Sequence, residues 1–328
     1  MPSSLLLILS VSSFIISLLT VFLIKQGFRE KLLDIPNDRS SHTQPTPRGG
    51  GLGFIIAFAI TSGISVFLFS SSLPLYPLWI TLIPLTIIGI IDDRKGAPAG
   101  IRYLVQLIVA GIAIFYVGVF PQPWFLHLGV FGQIMAIAIT LIGMTAIINF
   151  YNFMDGLDGL VASCAAIQLG FQAIYLNQPI LWLLVAALLG FLIWNWSPAK
   201  IFMGDVGSTS LGAIMSFSLL SSHQNTSEAW SALVITLPLL GDAIYTLFRR
   251  LLNRENVFKA HRSHIYQRIQ QSGMSHGQVA SIYVVVNLLI AIGIANFGTM
   301  GAWYGFFGVI ILIILGELYL SFRLRSQV

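Results

Sequence analysis

The chain has 328 residues, 56% hydrophobic and only 9% charged, with a formal net charge of +5. Soluble domains carry about 25% charged residues, so this composition excludes a soluble domain of useful size and implies an integral membrane protein with many spans. No basic stripe with interleaved aromatics points to nucleic acid, and a single cysteine, Cys164 inside an apolar run, excludes an intrachain disulfide and reads as a small core residue.

Residues 5–24 form the first apolar run. The run has no preceding Lys or Arg and exceeds a signal-peptide core, so it reads as a retained span. Further runs lie near 51–70, 77–91, 102–120, 131–148, 159–177, 180–196, 209–222, 230–250, 277–297 and 303–320. The expected fold is all-α, a polytopic integral membrane bundle of about eleven transmembrane helices, with 77–91 and 209–222 short for straight spans. One transmembrane domain over 1–328 is expected.

Placing the N-terminus outside and alternating puts 25–50, 92–102, 149–158, 197–208, 249–276 and 321–328 on the inner side. All 17 Lys and Arg then fall in these segments, as the positive-inside rule requires. The C-terminus is then cytoplasmic. The acids share the asymmetry: Asp34, Asp38, Asp92, Asp93, Asp155, Asp158, Asp205 and Glu255 lie inside, Asp242 and Glu317 in the inner parts of their spans, and only Glu228 outside. That rule gives acids little role. A cation-binding face supplies a reason for them.

Taken in order, the inner segments carry distinct motifs. Arg48 followed by three glycines lets backbone N–H groups approach an anion, or lets the next helix pack closely. Asp92 and Asp93 end a helix, where both oppose its dipole; a metal ion, a basic partner, or local pairing with Arg94, Lys95 or Arg102 would relieve them. Asn149, Asn152, Asp155 and Asp158 crowd a dozen residues flanked by apolar runs, either as a site or as a polar turn with Asp158 capping the next helix. Asp205, between Gly204 and Gly207, precedes another span as a ligand or a helix cap. Asp242 reads as a buried structural acid paired to Arg249 or Arg250. Lys259, His261, Arg262 and His264 could bind a phosphate or sugar, or anionic lipid. His42, His223 and His276 have no evident partner, and His127 reads as incidental. Together these groups suit a diphosphate held by a divalent cation and basic side chains. No Walker-type loop is present, which argues against ATP hydrolysis.

At this point the motifs resemble a known family, the polyprenyl-phosphate N-acetylhexosamine-1-phosphate transferases. The matching segments are Pro-Thr-Pro-Arg-Gly-Gly-Gly, the Asp92–Asp93 pair, Asn-x-x-Asn-Phe-Met-Asp-Gly-x-Asp-Gly-Leu, Met-Gly-Asp-Val-Gly-Ser and His-Arg-x-His, in the family's order across nearly the whole chain. Within it, the opening Asp-Ile-Pro-Asn-x-Arg-Ser-Ser-His and His-Arg-Ser-His look most like the O-antigen initiators. The peptidoglycan phospho-N-acetylmuramoyl-pentapeptide transferase has a histidine-rich run where this chain splits His261 from His264.

The resemblance implies a catalytic domain in the bacterial inner membrane, with its site on the cytoplasmic face. There a UDP-N-acetylhexosamine would donate its sugar 1-phosphate to undecaprenyl phosphate, releasing UMP and starting a lipid-linked glycan such as O-antigen. Asp205 and Asn152 would hold Mg²⁺, with Mn²⁺ as a substitute. Asp92, Asp93, Asp155, Asp158, His261 and His264 would form the catalytic set, and Arg48, Lys95, Asn149 and Arg262 the substrate-binding set. A homodimer is compatible, and no nucleic acid is expected. The alternatives are the peptidoglycan enzyme and, from another class, a secondary transporter, which would want acids near the midplane and two related halves.

Overall fold

The structure, a computed structural model, describes residues 3–27, 32–36, 41, 44–69, 73–222, 226–257, 259 and 261–325. Asp38, His42 and His223 lie outside them. Each apolar run of the sequence is helical. The long helices are α1 (Ser3–Gly27), α2 (Gly51–Leu68), α3 (Leu75–Lys95), α4 (Ala99–Val117), α5 (Gly129–Met154), α12 (His276–Phe297) and α13 (Thr299–Arg325). These seven are long and apolar enough to cross a membrane. An eighth span forms if α9 (Thr226–Val234) and α10 (Leu237–Leu252), bent by 70° at their junction, count as one. The remaining runs are α6 (Leu160–Tyr175), α7 (Leu181–Asn195) and α8 (Asp205–Leu220), of 16, 15 and 16 residues. The protein is thus an all-α polytopic membrane bundle, with seven or eight helices of full spanning length among the described residues. The expectation of about eleven adds these three, each a little shorter than a straight span.

Those three short helices are the centre of the molecule. Every residue of α8 after Asp205 is buried, and most of α6 and α7. The long helices surround them and turn Ile, Leu, Phe and Val outward: Phe67 is 89% exposed and Phe115 82%. Exposed apolar surface on that scale is stable against lipid and not against water. Between helices, where lipid removes most of the hydrophobic drive, close packing of small residues contributes instead. Gly51 of α2 meets Gly207 of α8 so closely that a Cβ on Gly51 would stand 2.4 Å from the Gly207 Cα. Buried hydroxyls add interhelical bonds: Ser13 and Ser17 of α1 donate to the Leu183 and Ala187 carbonyls of α7 at 2.7 and 2.6 Å.

Two short strands organise the first polar segment. β1 (Leu33–Asp34) pairs antiparallel with β2 (Thr46–Pro47), with Leu33 opposite Pro47 and Asp34 opposite Thr46. The chain after β2 then docks on the approach to α8. Phe202 N–H donates to the Pro47 carbonyl at 2.8 Å, and the Gly50 and Gly51 N–H groups donate to Phe202 and Met203 at 2.9 and 2.8 Å. These two glycine amides are therefore committed to protein carbonyls rather than to an anion. The close-packing reading of the triple glycine holds for them.

Candidate active site

The C-terminal end of α5 and the N-terminal end of α8 meet beside a polar cavity of about 290 Å³. Asp205, Asn152, Asp155, Asp158 and Arg48 line it, together with Asp34 and His276. Residues separated by more than 150 positions thus share one wall.

Asp93 builds the floor. Its carboxylate accepts from the Asp205 N–H at 2.9 Å and from the Val206 N–H at 3.4 Å, while Arg48 Nη1 lies 3.9 Å away. An acid that opposes the dipole of its own helix is here aligned with the dipole of α8, whose first N–H groups it satisfies. Gly204 makes this approach feasible: its φ is +77°, and a Cβ there would stand 2.5 Å from Asp93 Oδ2. The cap comes from a different helix, which is why no local N-cap signature precedes Asp205.

Asp92 and Asp205 share Arg102. Its Nη1 lies 2.8 Å from Asp92 Oδ2 and 3.2 Å from Asp205 Oδ2. Asp92 Oδ1 also accepts the Ala97 N–H at 2.5 Å. Of the partners named from sequence for Asp92, the structure selects Arg102. Arg102 also ties this acid to Asp205, a link that sequence spacing could not show.

Asp155 follows the last turn of α5 and faces the cavity. No hydrogen-bond partner of its carboxylate is found among the described residues. Burial pushes its pKa up to about 7, with the Arg48 charge opposing and Asp93 and Asp158 reinforcing. Asp158 differs. Burial alone would raise it, but His276 Nδ1 at 3.2 Å and the Ala199 N–H at 3.1 Å hold it below the usual carboxylate range. His276 also reaches the Ser41 carbonyl through Nε2 at 3.1 Å, so a histidine without an evident partner in the sequence bridges two segments of the cavity wall. The Ser275–Gln278 capping box at the start of α12 placed it at a helix terminus; its partner needed the fold.

Other candidates stand apart from the cavity. Asn149 forms a reciprocal amide pair with Gln106 of α4, at 2.6 and 3.3 Å, one turn before Asn152. Lys95 is exposed at the end of α3. Arg262 stands at the rim, with Nη2 3.4 Å from the hydroxyl of Ser41, itself a cavity residue. His261 and His264 are stacked, ring centroids 4.9 Å apart, and neither lines the cavity. Burial, then the neighbouring His264 and Arg250, lower the His261 pKa to about 4. It is a neutral imidazole at pH 7.

Asp242 is structural, though not through Arg249 or Arg250. It accepts from the Ile265 and Tyr266 N–H groups at 2.9 and 3.0 Å and from the Tyr283 hydroxyl at 2.7 Å, with His264 Nδ1 3.5 Å away. It thereby caps the short helix α11 (Ile265–Gln271). Tyr266 in turn donates to the Phe153 carbonyl at 3.0 Å, placing the histidine loop under the Asn152–Asp158 turn.

The arrangement offers a hard cation the oxygen donors of Asp205 and Asn152, beside the cavity-facing Asp155, and offers an anion the guanidinium groups of Arg48 and Arg102. Such a centre, at one end of an apolar bundle, defines a membrane-embedded enzyme for a phosphorylated substrate. The profile described as glycosyl transferase family 4 matches residues 75–223. The probable undecaprenyl-phosphate N-acetylglucosaminyl 1-phosphate transferase of Bacillus subtilis is 30% identical over 93% of this chain and 89% of its own length. The undecaprenyl-phosphate alpha-N-acetylglucosaminyl 1-phosphate transferase of Yersinia pestis is 29% identical over 84% of this chain and 79% of its own. The phospho-N-acetylmuramoyl-pentapeptide-transferase of Staphylococcus epidermidis is 29% identical over 79% and 85%. The chain belongs to the polyprenyl-phosphate N-acetylhexosamine-1-phosphate transferase family. That membership decides for a transferase and against a secondary transporter.

Proposed function

We propose that this protein transfers an N-acetylhexosamine 1-phosphate from its UDP derivative to undecaprenyl phosphate on the cytoplasmic face of the inner membrane, starting a cell-envelope glycan of the O-antigen kind. The observation that carries the reading is the cavity bounded by Asp205, Asp155, Asp158 and Arg48 at one end of an apolar bundle. Family membership supplies the reaction class. The N-out orientation rests on the one-sided distribution of all 17 Lys and Arg.

In the reaction, a phosphate oxygen of the lipid attacks the β-phosphorus of the donor. A new P–O bond forms, the bond from the β-phosphorus to the bridging oxygen breaks, and that oxygen leaves with UMP. A phosphate monoester has a second pKa near 6, so the nucleophile is largely ionised at neutral pH and needs little base. Asp92 fits this: Ala97 N–H and Arg102 occupy both its oxygens, and it acts by positioning Arg102. Two anions must still meet, so Arg48 and Arg102 offset phosphate charge. Asp155, with its pKa near 7, can carry a proton on its free carboxyl and donate it as a hydrogen bond to the donor.

The residues also fit Mg²⁺. Among the described residues no group of three His, Cys, Asp or Glu side chains encloses an ion. Magnesium is ordinarily held by one or two carboxylates with waters and substrate phosphates, which Asp205 and Asn152 can provide. When bound, the ion supplies further neutralisation of the diphosphate.

The test uses purified protein, undecaprenyl phosphate, Mg²⁺ and a panel of UDP-N-acetylhexosamines, scoring UMP release and lipid-linked product for wild type and Asp205→Asn. Transfer that requires Mg²⁺ and collapses in the variant is expected. UDP-N-acetylmuramoyl-pentapeptide belongs in the panel, because a peptidoglycan transferase is among the relatives; its exclusive use would replace the sugar assignment. No product with any donor from folded protein would overturn the reading.

A further inference from the structure

α13 contributes no residue to the cavity, and its apolar side chains face outward along most of its length. One residue breaks that pattern. Glu317 is a carboxylate in the second half of an otherwise apolar span, only 27% exposed at its side chain. A charge so placed is costly unless it is paired, and its partners show what it holds.

Glu317 holds two arginines. Arg249 Nη1, from the end of α10, lies 3.1 Å from Oε1. Arg268 of α11 binds both oxygens, with Nη2 3.0 Å from Oε2 and Nη1 against Oε1. Tyr245 also lies beside the carboxylate. Arg249 then passes the restraint on, donating through Nη2 to the Ser263 carbonyl at 2.5 Å. Ser263 sits between Arg262 and His264, so the turn His261–His264 is gripped on one side through Arg249 and at its following helix through Arg268. A second contact is independent of charge. Next to Glu317, Gly316 faces α11 so closely that a Cβ there would stand 3.3 Å from Ile265 Cγ2. One turn of α13 is therefore shaped to receive α11 and charged to hold the loop before it.

The structure assigns Glu317 as a positioning residue: from the last span it clamps the His261–His264 turn, through Arg249 and Arg268, so that Arg262 of that turn stands at the cavity rim. That Arg262 reaches the donor from this rim rests on the transferase reading above; the clamp itself does not. Asp242 fixes the backbone start of α11 from below, whereas Glu317 fixes the turn from the side, and the two share no partner.

The experiment compares wild type, Glu317→Gln, Arg249→Gln and the double variant, all full-length in lipid nanodiscs, by hydrogen–deuterium exchange and by donor kinetics. Glu317→Gln keeps the volume and removes the charge. Because hydrogen bonds to charged groups are among the stronger ones, exchange in peptides covering 261–271 should accelerate roughly tenfold or more, while α8 stays protected. The KM for the UDP-sugar should rise about tenfold with kcat changing less than about threefold, the pattern of lost ground-state binding. Arg249→Gln should do the same, and the double variant should fall short of the sum of the two, because both lose the Arg249–Glu317 pair. Unchanged protection of 261–271 in Glu317→Gln overturns the clamp. So does loss of protection spread equally over α6 to α8, which would make Glu317 a general packing residue, or fully additive effects in the double variant. If the wild type transfers no sugar, the transferase reading fails and the exchange data alone decide the clamp.

Discussion

At the two ends of α5 and α8 the same bundle makes two cavities of opposite character. At the Asn152 and Asp205 end, about 290 Å³ is bounded largely by carboxylates, amides and Arg48. At the other end, about 190 Å³ is bounded by Phe120, Trp124, Trp230, Met144 and other apolar groups, with Gln122, Thr140 and Ser216 as polar members. Thr140 and Asn152 are twelve residues apart on one helix, roughly 18 Å. The apolar cavity needs only packing and a local hydrogen bond, Gln122 to Thr140 at 3.2 Å. The acidic one gathers like charges where desolvation raises their cost, and the Arg48 charge does not offset the burial of Asp155. Stability accounts for the first arrangement. The second makes sense when a cationic or proton-sharing ligand completes it.

Substitutions can break that contrast. The largest effect is expected from Asp205→Asn, which should lower UMP release by at least about a hundredfold, the scale for removing a main electrostatic contact at a reacting centre. Next come two neighbours with different fates. Asp93→Ala removes the carboxylate that caps α8. It should lower stability by about 1.5–3 kcal/mol, read as an earlier thermal transition, with activity falling in parallel. Asp155→Asn should also lose transfer, yet melt no earlier than wild type, because among the described residues its carboxylate accepts no hydrogen bond that the amide would forfeit. Equal melting losses in both would erase the distinction between floor and cavity wall. At the other end, Gly143→Leu fills the apolar cavity from an open helix position. UMP release should stay within about threefold, and the helix should gain about 1 kcal/mol in propensity.

The smallest effect concerns pH. His261 titrates near 4 in the fold and near 6.5 unfolded. Its neutral form is therefore favoured by folding, so its contribution is fully present above about pH 6.5 and is lost as pH falls toward 4. His261→Gln should flatten the decline of thermal stability between pH 6.5 and 4. An unchanged slope would show that the imidazole is not held neutral.

Several of these features were readable in advance. Apolar runs announced the helices, because a membrane span must be continuous and apolar to satisfy its backbone. The crowding of Asn149, Asn152, Asp155 and Asp158 between such runs pointed to a polar site, because isolated carboxylates there are expensive, and three of the four line the cavity. Asn149 was harder to place. It shares the motif and the helix of Asn152, but one turn separates a residue that reaches the cavity from one that pairs with Gln106, and spacing alone carries no sign of which face α4 covers. Arg102 and His276 were visible as residues and invisible as partners, because their acids lie on other elements.

By itself the sequence determined what intra-chain periodicity and solvent preference can determine: an all-helical membrane protein, the segments that carry its charges, and the motifs of its family. The tertiary structure decided which carboxylates remain available. It spends Asp93 on the first turn of α8 and Asp242 on α11, ties Asp92 to Asp205 through Arg102, and leaves Asp155 open to the cavity. It also decided that three apolar runs become short helices buried at the centre of the bundle. These outcomes depend on which helix ends meet. That is set by close packing between surfaces distant in the chain, and no local pattern encodes it.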